Sequence, residues 1–349
     1  MKTVGKLLLI VVLFLFLSDR VFAQKKNYQV IAAAFYNCEN FFDTQDDPQK
    51  EGDEEFTPKG PYHYTEEVFR QKAHNLATVL QKLGTDITPD GPAIVGVAEV
   101  ENSNSMELLV SQPEIEDRHY KYVIHYGPDE RGINTGFIYN PKYFSVIESQ
   151  PYHVDLGGSG GKETTRDVLR VTGVLAGDTV HVLVNHWPSR RGGETASAPK
   201  RARAAGVDKR IVDSLMNANP ASKILIMGDL NDDPVSPSVA KVLGATGDRA
   251  EVKQGGIYNP WVSFYKKGIG TLAWNDAWNL FDQIMLTEPF LKKDDMHWQF
   301  YKAEVFNKEF LKETSGEYKG APHRSFSGNT WINGYSDHFP TIVYLVKAQ

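Results

Sequence analysis

Six apolar runs in this chain stop against a residue suited to proton or metal chemistry, and that coincidence constrains the fold more than any other feature. Residues 31–36 lead into Asn37, Cys38, Glu39 and Asn40, residues 94–98 into Glu99, residues 180–184 into Asn185 and His186, and residues 224–228 into Asp229, Leu230 and Asn231. Asp282 opens the run 283–286, and Asp337 and His338 precede 340–345. Short runs rich in β-branched residues read as buried strands. Strand ends in layered α/β domains gather at one rim, where ligands bind. One polar strand end is ordinary turn punctuation, but six drawn only from Asn, Asp, Glu and His call for a shared rim.

Strands are expected at 29–36, 93–97, 122–126, 135–139, 168–175, 179–184, 223–227, 283–286 and 341–345. Thr65 caps an expected helix with Glu66 and Glu67 in its first turn. Phe69, Ala73, Leu76, Leu80 and Leu83 form its apolar stripe, and Gly84 ends it. A second helix is expected over 199–217, with Ala204, Val207, Ile211 and Leu215 on one face. Strands alternating with helices, several in hairpin-like pairs, predict an α/β layered domain with mixed sheets. Residues 46–55, with six acidic residues against one lysine, read as a loop, as do 157–161 and 247–270. No repeat or linker divides the chain, so one domain is expected over 24–349.

The first 23 residues read as a leader. Lys2 and Lys6 precede eleven apolar residues at 7–17, and Val21 and Ala23 supply the small residues of a cleavage site. A membrane span needs about 20 apolar residues. The expectation is an exported protein, periplasmic or secreted, with no transmembrane segment in the mature chain and no obligate protein partner. The net charge of -6 argues against a surface built throughout to grip nucleic acid. The single cysteine, Cys38, excludes an intramolecular disulfide and reads as a small buried filler.

At 228–232, Gly-Asp-Leu-Asn-Asp sets Asp229 and Asn231 two apart, on one face of an extended segment. A calcium loop is excluded, because Pro234 and Ala240 stand where that motif needs Gly and Glu. Between Ser189 and Arg210, seven Lys and Arg face only Glu194 and Asp208. This basic segment follows His186 directly and predicts an anion-binding cleft using Arg190 and Arg191. The G-x-S-x-G pattern at 157–161 leads into no convincing helix and is read as a loop rather than a hydrolase elbow. Tyr258, Trp261, Phe264, Tyr265, Trp274 and Trp278 crowd one segment, where packing is the default reading and base, sugar or lipid contact the functional one.

In order along the chain, residues 35–43, 97–101, 131–134, 185–186, 228–231, 281–284 and 336–338 resemble the motifs of the endonuclease/exonuclease/phosphatase (DNase I-like) superfamily. The resemblance implies a four-layer α/β/β/α sandwich of two mixed β-sheets flanked by helices. It also implies a divalent-metal-dependent phosphoester hydrolase working by in-line attack of water. Glu99, with Asn37 and Asp337, would hold Mg²⁺ or Mn²⁺, and Asp229 with Asn231 would orient or deprotonate the water. His338, fixed by Asp282, would bind phosphate or shuttle a proton, while His186 and Arg131 would donate to phosphoryl oxygens, with Asn185 alongside. Glu39 and Glu101 are further ligand candidates. Two departures stand out: Ala98 replaces a frequent Gln before the glutamate, and 281–283 lacks a frequent histidine.

The 185–193 segment and the opening Asn-x-x-Asn-x-x-Asp are similar to those of secreted bacterial nuclease-like members, so the first expectation is an exported nuclease or phosphodiesterase acting on DNA or RNA. The alternatives are a phosphatase or phospholipase C-like hydrolase of inositol phosphates, sugar phosphates or sphingomyelin, and a non-catalytic binding module on the same fold.

Overall fold

Apolar alternation along the strands decides how the chain layers. The computed structural model describes residues 27–157, 163–274 and 277–349. The expected leader and most of the 157–161 pattern lie outside them. Two large sheets contain, in chain order, β1 (Tyr28–Phe41), β2 (Ile94–Val100), β3 (Lys121–Ile124), β4 (Asn134–Tyr139), β5 (Phe144–Tyr152), β6 (Val168–Leu175) and β7 (Asp178–His186). They continue with β8 (Lys223–Asp229), β9 (Ala245–Thr246), β10 (Ile257–Tyr258), β11 (Asp282–Thr287), β12 (Gln299–Val305) and β13 (Thr341–Ala348). The first sheet runs β12-β13-β1-β2-β4-β3 and the second β5-β6-β7-β8-β11-β10-β9. Both are mixed: β1 pairs parallel with β2 and β7 parallel with β8, amid antiparallel neighbours.

On the second sheet, Val182, Val184, Leu225, Met227 and Ile284 enter the core shared with the first sheet. Their neighbours Leu183, Ile224, Ile226 and Met285 instead pack with Ala204, Val207, Ile211 and Val212 of α3 (Glu194–Ala218). This period of two buries both faces of one sheet. Two further helices, α1 (Glu66–Lys82) and α2 (Ser103–Val110), cover the first sheet through residues such as Phe69, Leu76 and Met106. The result is the expected four-layer α/β/β/α sandwich. Thr65 caps α1 by accepting the Val68 N–H, and Gly84 follows its end at a φ of 72°. Among the described residues no helix is long and apolar enough to cross a membrane. Cys38 is buried, and burial pushes its thiol up to about 12.

Several boundaries differ from expectation. β1 runs on through Asn37 to Phe41 and β2 through Glu99 to Val100, while β7 and β8 extend to end at His186 and Asp229, so all four residues lie within strands. The half-exposed edge strand β5, carrying Glu148 and Pro151, lacks the apolar pattern that would reveal it. The 247–270 segment holds β10 and a short helix, α4 (Trp261–Tyr265), anchored where the buried Trp261 indole donates to the Ile284 carbonyl at 2.9 Å. α3 starts at Glu194 and carries Pro199 inside it. Its first turn is held by the buried Arg201, which donates to the Glu194 carbonyl at 3.0 Å and to Ser197 Oγ at 2.7 Å.

Gly96 sets the closeness of the two sheets, since a Cβ there would lie 2.6 Å from Met227 Sδ and 3.1 Å from Val184 Cγ1. Gly96→Val should cost about 1–3 kcal/mol in urea unfolding, as overpacking does in close-packed cores; unchanged stability would show that the sheets have slack.

The fully buried Asp208 of α3 yields a second prediction. Burial pushes its carboxyl up to about 8, against the lowering effect of bonds from Trp187 and Asn185. In the unfolded chain it titrates near about 4, so between those values the folded state binds the extra proton and loses stability as pH rises. Asp208→Asn should therefore raise Tm, by an amount that grows from pH 4 to pH 8 and then levels off. A gain independent of pH would contradict a protonated Asp208.

Candidate active site

Backbone irregularities aim the side chains at the rim. The register of β1 against β2 shifts between Asn37 and Phe41, and that of β2 against β4 between Ala98 and Val100. Glu39, Asn40 and Glu99 within these bulges, and Asn231 beyond β8, take left-handed φ values of 48°, 54°, 58° and 49°. Such conformations are costly for residues with a Cβ and concentrate where a side chain must be re-aimed.

The bulges let groups from both sheets meet. Asn37 Oδ1 accepts the Glu39 N–H at 2.8 Å, which turns the Asn37 amide nitrogen toward two carboxylates. It donates to Asp229 Oδ2 at 3.0 Å and to Glu99 Oε1 at 3.4 Å. Glu99 Oε2 accepts the Asn40 N–H at 2.9 Å and faces the Arg131 guanidinium at 3.5 Å, while Arg131 also donates to Asn40 Oδ1. His186 Nε2 lies 3.8 Å from Glu99 and 3.6 Å from Asp229. From the start of β11, the fully buried Asp282 binds His338 Nδ1 at 2.7 Å, leaving His338 Nε2 at 3.9 Å from both Asp229 Oδ2 and Asp337 Oδ1. Ser336 steadies this histidine: its hydroxyl donates to the Asn37 carbonyl at 2.7 Å and accepts the His338 N–H at 3.1 Å.

Charge is sorted across the cluster. Burial opposes ionisation of Glu99, but Arg131, His186 and the Asn40 N–H outweigh it and bring the carboxyl down to about 2. Burial lifts Asp229 to about 6, with Asp282 adding to the rise and His338 opposing it. His338 is held well above the ordinary imidazole range: burial works against its charge, but Asp282 and Asp229 prevail. His186 is driven the other way, well below that range, by burial and then by the Arg166 guanidinium. Near neutrality the site therefore presents an imidazolium, a neutral imidazole, an ionised glutamate and an aspartate able to take a proton.

Of the residues expected from sequence, Asn37, Glu99, Arg131, His186, Asp229, Asp282, Asp337 and His338 converge here. Asn231 joins them at the rim, its N–H on Asp229 Oδ1 at 2.9 Å and its side-chain amide donating to the Trp187 carbonyl at 3.0 Å. Asn185 does not converge. Strand alternation turns it from His186 toward α3, where it accepts the Trp187 indole N–H at 3.1 Å in full burial. Arg190 does not lie free to bind anions: it pairs with Glu194, Asp232 and Asp233 and covers the Phe281 ring. Arg191 is 89% exposed, with Glu130 at 3.9 Å. Glu39 accepts the Ser325 N–H at 2.7 Å and Glu101 the Asp43 N–H at 2.6 Å, and burial raises them to about 7 and about 8. These two brace loops. Asn40 was marked at the rim by the sequence, whereas Ser336, Arg166 and Trp187 were assigned no role there, because their contacts depend on which atoms the fold sets beside them.

A hard divalent ion favours oxygen donors. The ionised Glu99 and the half-exposed Asp337 meet that requirement, whereas Asn37 presents N–H groups and acts as a clasp between acids. Asp229, Asp282 and His338 also bring ligand atoms within 4.8 Å of one another. Within that group the 2.7 Å Asp282–His338 bond occupies Nδ1 and suits the pair to holding a proton.

The Endonuclease/Exonuclease/phosphatase family model matches residues 32–347. No curated protein matches the chain in sequence. Among solved structures, D. rerio TDP2 complexed with single strand DNA product is 12% identical, with a TM-score of 0.54 over 91% of this chain and 99% of that one. Mannosyl-6-phosphatase from Bacteroides thetaiotaomicron is 14% identical, with a TM-score of 0.54 over 90% of this chain and 99% of that one. A further endonuclease/exonuclease/phosphatase family protein from B. thetaiotaomicron is 15% identical, also at 0.54, over 92% and 99%. At these identities the likeness establishes a shared fold. Because the family model spans both sheets and every strand end described above, the chain belongs to the Endonuclease/Exonuclease/phosphatase family and is a phosphoester hydrolase.

Proposed function

We propose that this hydrolase is a divalent-metal-dependent phosphodiesterase acting on nucleic acid outside the cytoplasm. The observation that carries the reading is the opposition, across one rim, of the Asp282–His338 pair and Asp229 to the ionised Glu99. Glu99 and Asp337 would hold Mg²⁺ or Mn²⁺, which when bound supplies Lewis-acid charge beside the phosphoryl oxygens. Asp229 takes the proton of the attacking water, aided by the Asn231 N–H that fixes its other oxygen. His338 donates from Nε2 to the phosphoryl or leaving oxygen, with Asp282 holding Nδ1–H. Neutral His186 and Arg131 donate to the remaining oxygens. The leader-like first 23 residues support export.

Trp278 supports nucleic acid as the substrate. It is 43% exposed and lies parallel to Phe339, the residue after His338, with ring centroids 6.1 Å apart. Its neighbours in that segment are less available: Trp261 is buried, while Tyr258, Phe264 and Tyr265 pack against the core. A flat exposed ring stacked on the residue that follows His338 suits base stacking. It also suits a sugar face, so sugar-phosphate monoesters form the second reading, and the mannosyl-6-phosphatase fold neighbour is in keeping with it.

Purified protein should cut oligonucleotides with Mg²⁺ or Mn²⁺ and stop in EDTA. Glu99→Gln and His338→Ala should each lower kcat by about 10²–10⁴-fold. An unchanged rate in either variant would refute the site. Trp278→Ala should raise KM for oligonucleotides about tenfold, in line with loss of one stacked base, and leave bis-p-nitrophenyl phosphate unaffected. Hydrolysis of mannose 6-phosphate with no action on oligonucleotides would overturn the phosphodiesterase reading in favour of the second.

A further inference from the structure

We propose that Arg166, which belongs to no motif of the chain, is a positioning residue that locks the two halves of the cleft at a fixed spacing; the proposal rests on the phosphoester-hydrolase reading of the site. Arg166 lies two residues before the start of β6 and is buried. One arm of its guanidinium, Nη1, pairs with Asp129 Oδ2 at 3.2 Å, and the other, Nη2, donates to the Trp187 carbonyl at 2.7 Å.

Each partner controls one side of the site. Asp129 is itself buried, and it organises the turn between β3 and β4. Its Oδ1 accepts the Arg131 N–H at 3.1 Å and its carbonyl accepts the Gly132 N–H at 3.1 Å. Arg131 leaves that turn to face Glu99. Trp187 follows β7 and organises the second sheet's rim. Its N–H donates to the Asp229 carbonyl at 3.0 Å, its carbonyl accepts the Asn231 amide at 3.0 Å, and its indole N–H is shared between Asn185 and Asp208. A single planar fork therefore joins the turn that aims Arg131 to the strand ends that aim Asp229 and Asn231. Lysine offers a point charge with no fixed fork and cannot reproduce both bonds at this geometry.

A shift of about 1 Å at the reacting groups is enough to cost about a hundredfold in rate. Steady-state kinetics on bis-p-nitrophenyl phosphate with Mn²⁺ should show Arg166→Ala folded, with kcat down about a hundredfold and KM within about threefold. Added guanidinium ion should restore part of the lost kcat, and Arg166→Lys should remain at least tenfold below the parent. Wild-type kcat in folded Arg166→Ala would overturn the proposal. If that variant does not fold, Arg166→Lys and Asp129→Asn replace it: reduced kcat in the folded proteins supports the brace, and unchanged kcat overturns it. A parent chain inactive on every phosphoester would refute the underlying reading instead. The brace is then judged by NMR, where Arg166→Lys must move the Arg131 backbone amide and Asn231 side-chain amide signals together. Signals left in place would overturn it.

Discussion

The hydrogen bond from Asn37 in β1 to Asp229 at the end of β8 joins strands of two different sheets, and the arrangement of the rim depends on it. Two sheets packed face to face by apolar side chains fix their separation but leave the alignment of their polar edges undefined. Asn37 defines it, because the Glu39 N–H takes its oxygen and leaves its nitrogen to bridge Asp229 and Glu99. That arrangement requires the left-handed backbone at Glu39, a conformation the chain holds against its own steric preference. Ser336 extends the same alignment to His338 through the Asn37 carbonyl. Asn37 thus sets the relative positions of Asp229, Glu99 and the loop that carries His338.

The net charge of -6 acquires a location. Glu99, Asp229, Asp282 and Asp337 crowd one rim against His338 and Arg131, an excess of negative charge suited to a divalent cation. The basic segment after His186 has a different task from the one its composition suggests. Arg190 and Arg201 turn inward to neutralise Asp232 and Asp233 and to hold the start of α3, leaving Arg191 exposed. Buried carboxylates need partners more urgently than a cleft needs surplus cations.

Much of this was legible in the sequence because both sheet layers and rim chemistry follow from local pattern. Short apolar runs rich in β-branched residues revealed the central strands, and the polar residues that followed them marked the rim. Three kinds of information were not carried locally. Bulges at Glu99 and Asn40 arise from pairing register, which depends on the partner strand. The choice of His186 over Asn185 depends on which face of β7 meets the other sheet, and alternation alone does not say which. The edge strands β5 and β12 bury too little to show an apolar signature. Arg166 joins the Asp129 carboxylate to the Trp187 carbonyl, and Trp187 acts largely through its own backbone N–H and carbonyl, so their places at the site depend on which atoms the fold sets beside them.

The central claim is that water, with its proton taken by Asp229, attacks phosphorus directly and no side chain forms a covalent intermediate. Cys38 is buried in the core, and the groups at the rim are acids, amides and imidazoles held in mutual hydrogen bonds. The most direct measurement is the stereochemical outcome at phosphorus, using a dinucleoside phosphorothioate of defined configuration cleaved in ¹⁸O-labelled water. A single in-line displacement predicts inversion of configuration, whereas retention would require two displacements through an enzyme-bound intermediate and would contradict the account.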